Sequence, residues 1–473
     1  MEKKVKFLIC EPQHIEQAFF QECNLWIADK PMNKLIFLNR YYYPDQSATS
    51  QLLTDLTFHL AREGARVMVI AGRHSYSKKL PRLLPAEDIE NVQVKRVWTS
   101  GFGRDWLPGR VVDYLSYYFS SLLTLLIYAK KGDIIVAETD PPLISVVAWL
   151  VAKLKGSHTV NWVQDLFPEI ADVLKVKGFN GVFSRFLKSV RNVSFRDAIM
   201  NVVLGERMAE RLYELGVRYS SVEIVHNWSP VTAIRPITKE KNRLRNEWDL
   251  KGKFIVGYSG NMGRVHDFST VLGTAEIMRN HKEIVFLFIG SGPQKTWMEE
   301  ETKRKKLHNV LFLPPQERAM LPYSLTLPDL HLITLKSDVE GLSVPSKFYG
   351  AGAASKPVIF IGDEQGELAK LIRECEGGAV IREHDSEALA QTVLRLKESP
   401  VECERMGDNI RRLVLSKFDK SIAVDHWKDL IINLTNRHKV DLGIISQSSD
   451  KDKNTIDNSK ICWISDKSAS NRP

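Results

Sequence analysis

The chain has 473 residues, of which 44% are hydrophobic and 26% charged, a composition that allows two substantial cores and excludes a fibrous or largely disordered protein. Its formal net charge of +9 favours polyanionic partners such as anionic lipid or phosphorylated substrates. The basic residues follow no nucleic-acid-binding signature, so nucleic acid is not an expected partner. The five cysteines lack metal-ligand and redox spacing, which is typical of a reducing cytosol without zinc.

Residues 1–31 precede the first strand pattern, LIFLN. Acidic side chains such as Glu11, Glu16 and Glu22 interrupt any apolar core of the length that a secretory signal needs. We therefore expect an N-terminal extension over 1–31 and no export.

The first half of the chain alternates strand and helix patterns, which predicts a parallel sheet wrapped by helices. The predicted strands are Lys34–Asn39, Arg66–Ala71, Val92–Val97, Asp133–Glu138, Thr159–Gln164 and Ala198–Val203. Asp45 lies in the loop after the first of these strands. Asp140 and Asp165 follow the strands that end at Glu138 and Gln164. They should lie at the carboxyl edge of the sheet, where open α/β sheets bind ligands.

Two stretches of this half raise the question of a membrane. Residues 111–129 are apolar, but Asp113 and several serines and tyrosines favour a buried or interfacial helix over a membrane span. In residues 183–196, four basic residues are interleaved with Phe and Leu. That pattern fits binding to anionic headgroups, and it equally fits an ordinary solvated helix face.

A polar, basic stretch at 228–253 is interpreted as an interdomain linker with a short helix. A second series of strands then begins with FIVGYSG and predicts a second domain over 254–418. Residues 419–436 have the pattern of a final amphipathic helix. The composition of 437–473, rich in Ser, Asp, Lys and Asn, predicts a disordered tail.

The motif GYSGNMGRVHDF contains a possible cradle for a pyrophosphate. Gly257, Gly260 and Gly263 follow a strand, so backbone N-H groups can approach the phosphates, and Arg264 adds a bidentate cation. The spacing differs from the dinucleotide fingerprint, which disfavours NAD. A glycine turn without a ligand remains an alternative.

The stretch DVEGLSVPSKFYGAGAASKPVIFIG predicts a polar loop, a short helix opening at Pro345 and a buried strand. Small residues on the helix permit close approach of a neighbour or a ligand. With Lys347 beside the first free N-H groups, the helix start is a candidate phosphate site. The alternative is a plain loop and packed helix, as in any α/β protein.

This stretch resembles the donor-site signature of family-4 retaining glycosyltransferases, in the bacterial branch that builds cell-surface polysaccharides. The resemblance also rests on RYYYPDQSATSQLLTDLTFHLAREGARVMVIAG, VQDLFPEIADVLK, VVLGERMAERLYELGV and GYSGNMGRVHDFSTVL. It implies the α/β GT-B architecture, in which two Rossmann-like domains face each other across a cleft. The acceptor domain would be 32–227, the donor domain 254–418, and 419–436 a crossover helix. One departure is Gly350, where many members have a glutamate that holds the nucleotide ribose.

The resemblance also implies roles for individual residues. The expected catalytic residues are Asp165, Arg264, Lys347 and Glu340. The expected donor and phosphate site comprises Gly260, Gly263, Arg264, His266, Gly341, Leu342, Ser343, Ser346 and Lys347. The expected acceptor side comprises Asp45, Asp140, Asp165 and Glu169. Structural readings compete at two of these positions, since a lone histidine is more often structural and Asp165 also fits a helix N-cap.

The implied activity is retaining transfer of a sugar from a nucleotide-diphosphate sugar to a polysaccharide-precursor acceptor, which in this branch is often lipid-linked. The expected location is cytoplasmic, with peripheral association at the inner face of the membrane. No cofactor is expected, and no metal, because the histidines and acidic pairs show no common ligand pattern. Two alternatives stay open: a nucleotide-sugar epimerase, and a catalytically silent nucleotide-sugar-binding partner, which Gly350 favours and Glu340, Arg264 and Lys347 disfavour.

Overall fold

A computed structural model describes residues 33–76, 83–103, 107–176 and 181–441. The predicted extension over 1–31 and most of the predicted tail, from residue 442 onward, lie outside the described residues. The final helix runs from Lys420 to Asp441, five residues past the expected end of the crossover helix.

The first domain is built on an eight-stranded sheet with the order β3-β4-β2-β1-β5-β6-β7-β8. Every pair of neighbouring strands is parallel except β3 and β4. The strands are β1 (Leu35–Leu38), β2 (Val67–Gly72), β3 (Ala86–Ile89), β4 (Val92–Val97), β5 (Ile134–Glu138), β6 (His158–Trp162), β7 (Met200–Val203) and β8 (Val222–Ile224). The helices are α1 (Ala48–Arg62), α2 (Leu107–Tyr128), α3 (Ile144–Lys155), α4 (Glu169–Val173), α5 (Gly181–Asp197) and α6 (Glu206–Glu214).

The second domain is built on a six-stranded parallel sheet with the order β11-β10-β9-β12-β13-β14. The strands are β9 (Phe254–Ser259), β10 (Ile284–Ile289), β11 (Val310–Leu313), β12 (Leu330–Thr334), β13 (Val358–Ile361) and β14 (Gly378–Ile381). The helices are α7 (Arg243–Glu247), α8 (Ser269–Ile277), α9 (Lys295–Arg304), α10 (Leu321–Thr326), α11 (Lys347–Ala353), α12 (Glu367–Glu374), α13 (Ser386–Glu398) and α14 (Pro400–Lys417). They are followed by α15 (Lys420–Asp441), whose Trp427 packs against Trp162 of the first domain.

The central strands are apolar along their whole length because helices cover both faces of a parallel sheet. Strands β1, β5 and β13 are buried at every residue. This arrangement confirms the predicted fold class of two parallel-sheet α/β domains. Strands β3 and β8 were not predicted, since both are short sheet-edge strands of mixed polarity (AEDI and VEI) that lack a run of apolar residues.

The second half of the predicted linker packs against the second sheet. Leu244 and Leu250 belong to a core cluster with residues of β9 and β10. The Arg245 guanidinium is buried and donates to a carboxylate oxygen of Asp329 at 2.9 Å and to the Leu327 carbonyl at 2.8 Å. Asp329 also accepts from the Ile255 N-H at 2.7 Å, so one buried ion pair fastens this segment to the start of two strands.

Helix α2 is long and apolar enough, between Pro108 and Tyr128, to cross a membrane by length and composition. Its Asp113 carboxylate is buried and accepts from the N-H groups of Phe102 and Gly103 and from the Arg40 guanidinium, each at 3.0 Å. Tyr117, one turn later, donates its hydroxyl proton to the Ile70 carbonyl at 2.9 Å. These bonds hold one side of the helix against the first sheet.

Replacement of Arg245 by alanine should destabilise the protein strongly, because it removes the buried one of the two cations, Arg245 and Lys239, that pair with the buried Asp329 carboxylate. Breaking such a buried pair costs about 3–5 kcal/mol. The neighbouring exposed Arg243 is the matched control, and its replacement should cost less than about 1 kcal/mol. Chemical denaturation of both variants measures the difference, and equal losses would contradict the assigned role of Arg245.

Candidate active site

Two glycine loops of the second domain pack backbone against backbone at the carboxyl ends of β9 and β10. Gly260 and Gly290 adopt φ angles of +137° and +148°, which side-chain-bearing residues rarely tolerate. A Cβ atom on Gly290 would lie 2.0 Å from the Gly260 carbonyl oxygen. The Met262 N-H donates to the Ser291 carbonyl at 2.7 Å, so the two loops form one surface.

The second loop also fixes the shape of the first. The Gln294 side-chain amide donates to the carbonyl oxygens of Gly263 at 2.5 Å and of His266 at 3.0 Å. The Tyr258 hydroxyl donates to the Asn261 carbonyl at 2.7 Å. These bonds engage carbonyl groups of the loop. The N-H groups of Gly263 and Arg264 have no acceptor among the described residues.

Lys347, at the start of α11, brings a cation to this loop. Its Nζ donates to His266 Nε2 at 2.9 Å and lies 5.4 Å from the centroid of the Tyr258 ring. His266 in turn donates from Nδ1 to the Thr334 carbonyl at 2.5 Å. A neutral histidine satisfies both bonds, with the proton on Nδ1 and a lone pair on Nε2 for the ammonium group.

Burial sets the charge states of this pair. It lowers the pKa of His266 to about 3, with the charge of Lys347 acting in the same direction, so the imidazole is neutral at pH 7. Burial also lowers the pKa of Lys347 to about 8. The lysine is therefore mostly charged at neutral pH, pairs with no carboxylate of the described residues, and is suited to receive an anion.

Arg264 belongs to the same loop, two residues before His266, and its side chain is exposed. The structure thus brings together five residues predicted from sequence: Gly260, Gly263, Arg264, His266 and Lys347. Ser346 is exposed at the N-cap of α11. Gly350 is half-buried on the same helix, and a Cβ atom there would make ordinary contact with Leu325 at 3.4 Å.

The predicted acceptor residue Asp165 meets the predicted donor residue Ser343 across the two domains. The two form an isolated antiparallel bridge, and the adjacent Leu166 N-H donates to the Leu342 carbonyl at 2.8 Å. Although the Asp165 side chain keeps contact with solvent, surrounding protein raises its pKa by desolvation. The charge of Asp140 also raises this pKa, and the interaction with Ser343 opposes the shift.

Glu340 and Gly341 lie at a second contact between the domains. The Glu340 carboxylate accepts from the Glu367 N-H at 2.8 Å, and burial raises its pKa. The Glu367 carboxylate in turn accepts from backbone N-H groups of Glu206 and Arg207 at the start of α6. Burial raises the pKa of Glu367 to about 6. In this arrangement Glu340 is engaged with the start of α12, and Gly341 lies against the Arg207 backbone.

Two further residues expected on the acceptor side are held by protein groups. The Asp45 carboxylate accepts from the Ser47 N-H and the Ser75 hydroxyl, each at 2.8 Å. The Glu169 carboxylate accepts hydrogen bonds from both terminal nitrogens of the buried Arg191, at 2.6 and 2.7 Å. Arg191 therefore points into the protein, unlike the other cations of its helix.

Sequence reasoning missed the contacts of Gln294, Glu367 and Arg191, because no local motif marks a partner so distant along the chain.

Metal-ligand side chains do not converge in the described part of the chain, where no three His, Cys, Asp or Glu residues are placed to hold a common ion.

Comparison with known proteins identifies the second domain. Residues 240–413, which include the glycine loops, His266 and Lys347, match the family model described as glycosyl transferases group 1. The chain contains a group 1 glycosyl transferase domain and is a glycosyltransferase. The match confirms the resemblance and the enzyme class inferred from the sequence motifs.

Relatives of this glycosyltransferase align with 75% and 86% of its chain. WbjE of Pseudomonas aeruginosa, named as a probable glycosyltransferase, is 24% identical over 414 residues, which cover 86% of this chain and all of WbjE. WcaI of Escherichia coli (strain K12), named for colanic acid biosynthesis, is 25% identical over 369 residues, which cover 75% of this chain and 89% of WcaI.

A solved structure with the same fold is Anabaena HepE in complex with UDP-glucose. It superposes with a TM-score of 0.65 at 15% identity, covering 85% of this chain and 99% of HepE. At this identity the likeness shows the fold alone, and it supports the GT-B architecture of the glycosyltransferase.

Replacement of Gly260 by alanine should disrupt the cradle. The φ angle of +137° is strained for alanine, and the new methyl group would lie 2.7 Å from Cε of Lys347. We expect a loss of about 1–3 kcal/mol in the free energy of unfolding. The adjacent exposed Asn261, replaced by alanine, is the control and should change little. Chemical denaturation provides the measurement, and a neutral Gly260→Ala variant would contradict the geometry of the loop.

Proposed function

We propose that this glycosyltransferase transfers a sugar, with retention of anomeric configuration, from a nucleotide-diphosphate sugar to a lipid-linked polysaccharide precursor. The observation that carries the donor class is the Lys347 ammonium, which donates to neutral His266 in the loop where the N-H groups of Gly263 and Arg264 have no acceptor among the described residues. A cation and fixed N-H donors in a glycine-lined surface are the complement of a diphosphate. The HepE structure, which contains UDP-glucose in the same fold, supports this choice.

The cradle would act on the leaving group of the reaction. As the bond from the sugar C1 to the diphosphate oxygen breaks, negative charge grows on that oxygen. Lys347 and Arg264 stabilise the charge, and positioning of the two substrates supplies the rest of the rate gain. The acceptor hydroxyl forms the new bond to C1 on the same face of the sugar. Its proton passes to the departing diphosphate, so no strong protein base is needed.

Asp165 is placed to orient the acceptor. It belongs to the first domain, yet it contacts the loop of Ser343 that the resemblance assigns to the donor sugar. Desolvation and the nearby Asp140 raise its pKa, and its carboxylate could accept a hydrogen bond from the acceptor hydroxyl. The polysaccharide assignment of the acceptor draws on the colanic acid name of WcaI.

The reaction is proposed to proceed without a metal ion, since Lys347 and Arg264 offer the positive charge that the leaving diphosphate requires. Transfer should accordingly keep its rate in EDTA. A loss of activity in EDTA that added Mg²⁺ or Mn²⁺ restores would overturn this point.

Replacement of Lys347 by alanine should lower kcat for sugar transfer by about 10²–10³-fold, the usual effect of removing one donor to developing charge. Lys295 lies on α9 and pairs with Glu299, so Lys295→Ala is the control and should remain active. The assay measures release of UDP or GDP and the anomeric configuration of the product by NMR. Full activity of Lys347→Ala, or an inverted product, would overturn the proposed mechanism.

Donor affinity should depend on pH through Lys347. Its pKa of about 8 in the free protein rises when an anion binds, so below pH 8 the lysine is charged in both states. Above pH 8, binding must first protonate the lysine, and Kd for UDP or GDP should rise by up to about tenfold per pH unit.

Calorimetric titration between pH 7 and 10 measures this dependence, with Lys347→Met as the control. That variant should bind more weakly and lack the rise above pH 8. The same rise in both proteins would assign the titration to another group.

A further inference from the structure

The helix layer on one face of the first sheet carries an exposed apolar surface. Twelve of the 24 exposed large apolar side chains among the described residues lie on three helices, α2, α3 and α5. They are Val111, Val112, Leu115, Phe119, Leu123 and Ile127 on α2, Leu150 and Leu154 on α3, and Val182, Phe183, Phe186 and Val193 on α5. We call this set the outer apolar face.

The three helices lie side by side, so the outer apolar face is continuous. Tyr118 of α2 donates to the Pro142 carbonyl in the turn before α3. The hydroxyls of Ser145 on α3 and Ser194 on α5 lie 3.0 Å apart and share a hydrogen bond. Folded monomers rarely expose large contiguous apolar patches, so a face of this kind marks an interaction site.

Helix α2 shows how the face is oriented. Its residues Asp113, Tyr117, Ser121 and Leu125 are fully buried against the sheet. The stripe on the opposite side, two residues out of step, consists of Leu115, Phe119, Leu123 and Ile127, with 58, 61, 46 and 72% of each side chain exposed. At 22 residues the helix is about 33 Å long. Because its inner side is bound to the sheet along this length, the helix offers its outer side to a surface and does not leave the domain to span a bilayer.

Charges select the kind of partner. The three helices contain seven basic residues and two acidic ones. Asp113 is buried in its ion pair with Arg40, and Asp197 is paired with Lys153 at 3.0 Å. Arg110, Lys155 and Arg185 therefore border the apolar residues without a matching excess of acidic groups. Phe and Leu on one face, flanked by Lys and Arg, are what an anionic membrane surface binds.

The face also adjoins the side of the domain where the acceptor is expected. Strands β4, β5 and β6 end at the carboxyl edge of the sheet, and α2, α3 and α5 begin after them at that edge. Exposed Trp98 and Phe102 lie in the connection between β4 and α2, where Asp113 binds the Phe102 N-H. An acceptor rooted in a bilayer against this face would present its head group near Asp140 and Asp165.

From these observations we propose that the outer apolar face is the membrane-docking surface of the protein, with α2, α3 and α5 lying in the headgroup region of an anionic bilayer. The proposal deepens the proposed function, because it supplies the site from which a lipid-linked acceptor is reached. The surface itself is argued from exposure and charge, which do not depend on sugar transfer.

The test is flotation of the full-length protein with vesicles of phosphatidylcholine alone or with 30% phosphatidylglycerol. Wild type should partition onto the anionic vesicles. A variant with Leu115, Phe119, Phe183 and Phe186 replaced by serine should lose at least tenfold in partition coefficient. The control variant has serine in place of Ile277, Trp297, Val401 and Leu415, which are exposed on the second domain. It should bind as wild type does. Replacement of Arg110, Lys155 and Arg185 by glutamine should remove the preference for anionic vesicles.

Absence of wild-type binding, or equal binding by the two serine variants, would overturn the proposal. A second result would also overturn the proposal: sedimentation shows that wild type is a dimer and that the fourfold variant containing Leu115→Ser is a monomer, while vesicle binding is unchanged. The face would then be an interface between two copies. Circular dichroism of each variant verifies folding. Transfer to a water-soluble acceptor without vesicles is measured separately, so failure of sugar transfer and failure of docking are distinguishable.

Discussion

The hydrogen bond from Lys347 to neutral His266 is the interaction on which the candidate active site depends. An ammonium group placed among protein atoms without a counter-ion is unfavourable, and the lowered pKa of Lys347 records that cost. The imidazole lone pair and the Tyr258 ring compensate part of it. The remainder is available to a bound anion, which would relieve an electrostatic deficit already present in the folded protein.

The glycine loops follow from the same requirement. Lys347 can reach His266 only if no side chain stands between them. A methyl group on Gly260 would occupy space that the Lys347 side chain fills. Gly290 is needed in turn so that the second loop can lie against Gly260 and place Gln294 under the carbonyls of Gly263 and His266. Conformational freedom, close packing and free N-H donors are therefore three consequences of one arrangement.

Contacts between the two domains bring candidate site residues of both domains together. The backbone bond from Leu166 to Leu342 and the approach of Asp165 to Ser343 bring a carboxylate of the first domain to the loop of Ser343 in the second. Glu367 and Glu340 each accept from N-H groups at a helix start, and partial burial raises the pKa of both carboxylates. Charge interactions at helix N-termini thus stabilise the same contact. Away from it, the apolar outer face of the first domain gives the enzyme its proposed position at the membrane.

Much of the fold was determined by local sequence. Runs such as LIFL and VIFI are apolar at every residue, and only a strand covered by helices on both faces suits that pattern, so the parallel sheets were predictable. The edge strands β3 and β8 were not, because an edge strand is partly solvated and its sequence is mixed. The cradle was partly predictable as well, since glycine spacing after a strand and the PSK motif are local signals, and the structure brings Gly263, Arg264, His266 and Lys347 together.

Tertiary structure alone decided how these groups are charged and what they touch. The neutral state of His266 arises from burial and from the charge of Lys347, and the Thr334 carbonyl accepts a hydrogen bond from the remaining proton on Nδ1; Lys347 and Thr334 both lie outside the motif of His266. Glu169 and Arg191 are 22 residues apart, and only packing made them a buried pair and turned Arg191 away from solvent. The apolar pattern of residues 111–129 likewise left open which side of the helix is covered, because periodicity defines faces and only the neighbouring sheet determines which face is buried.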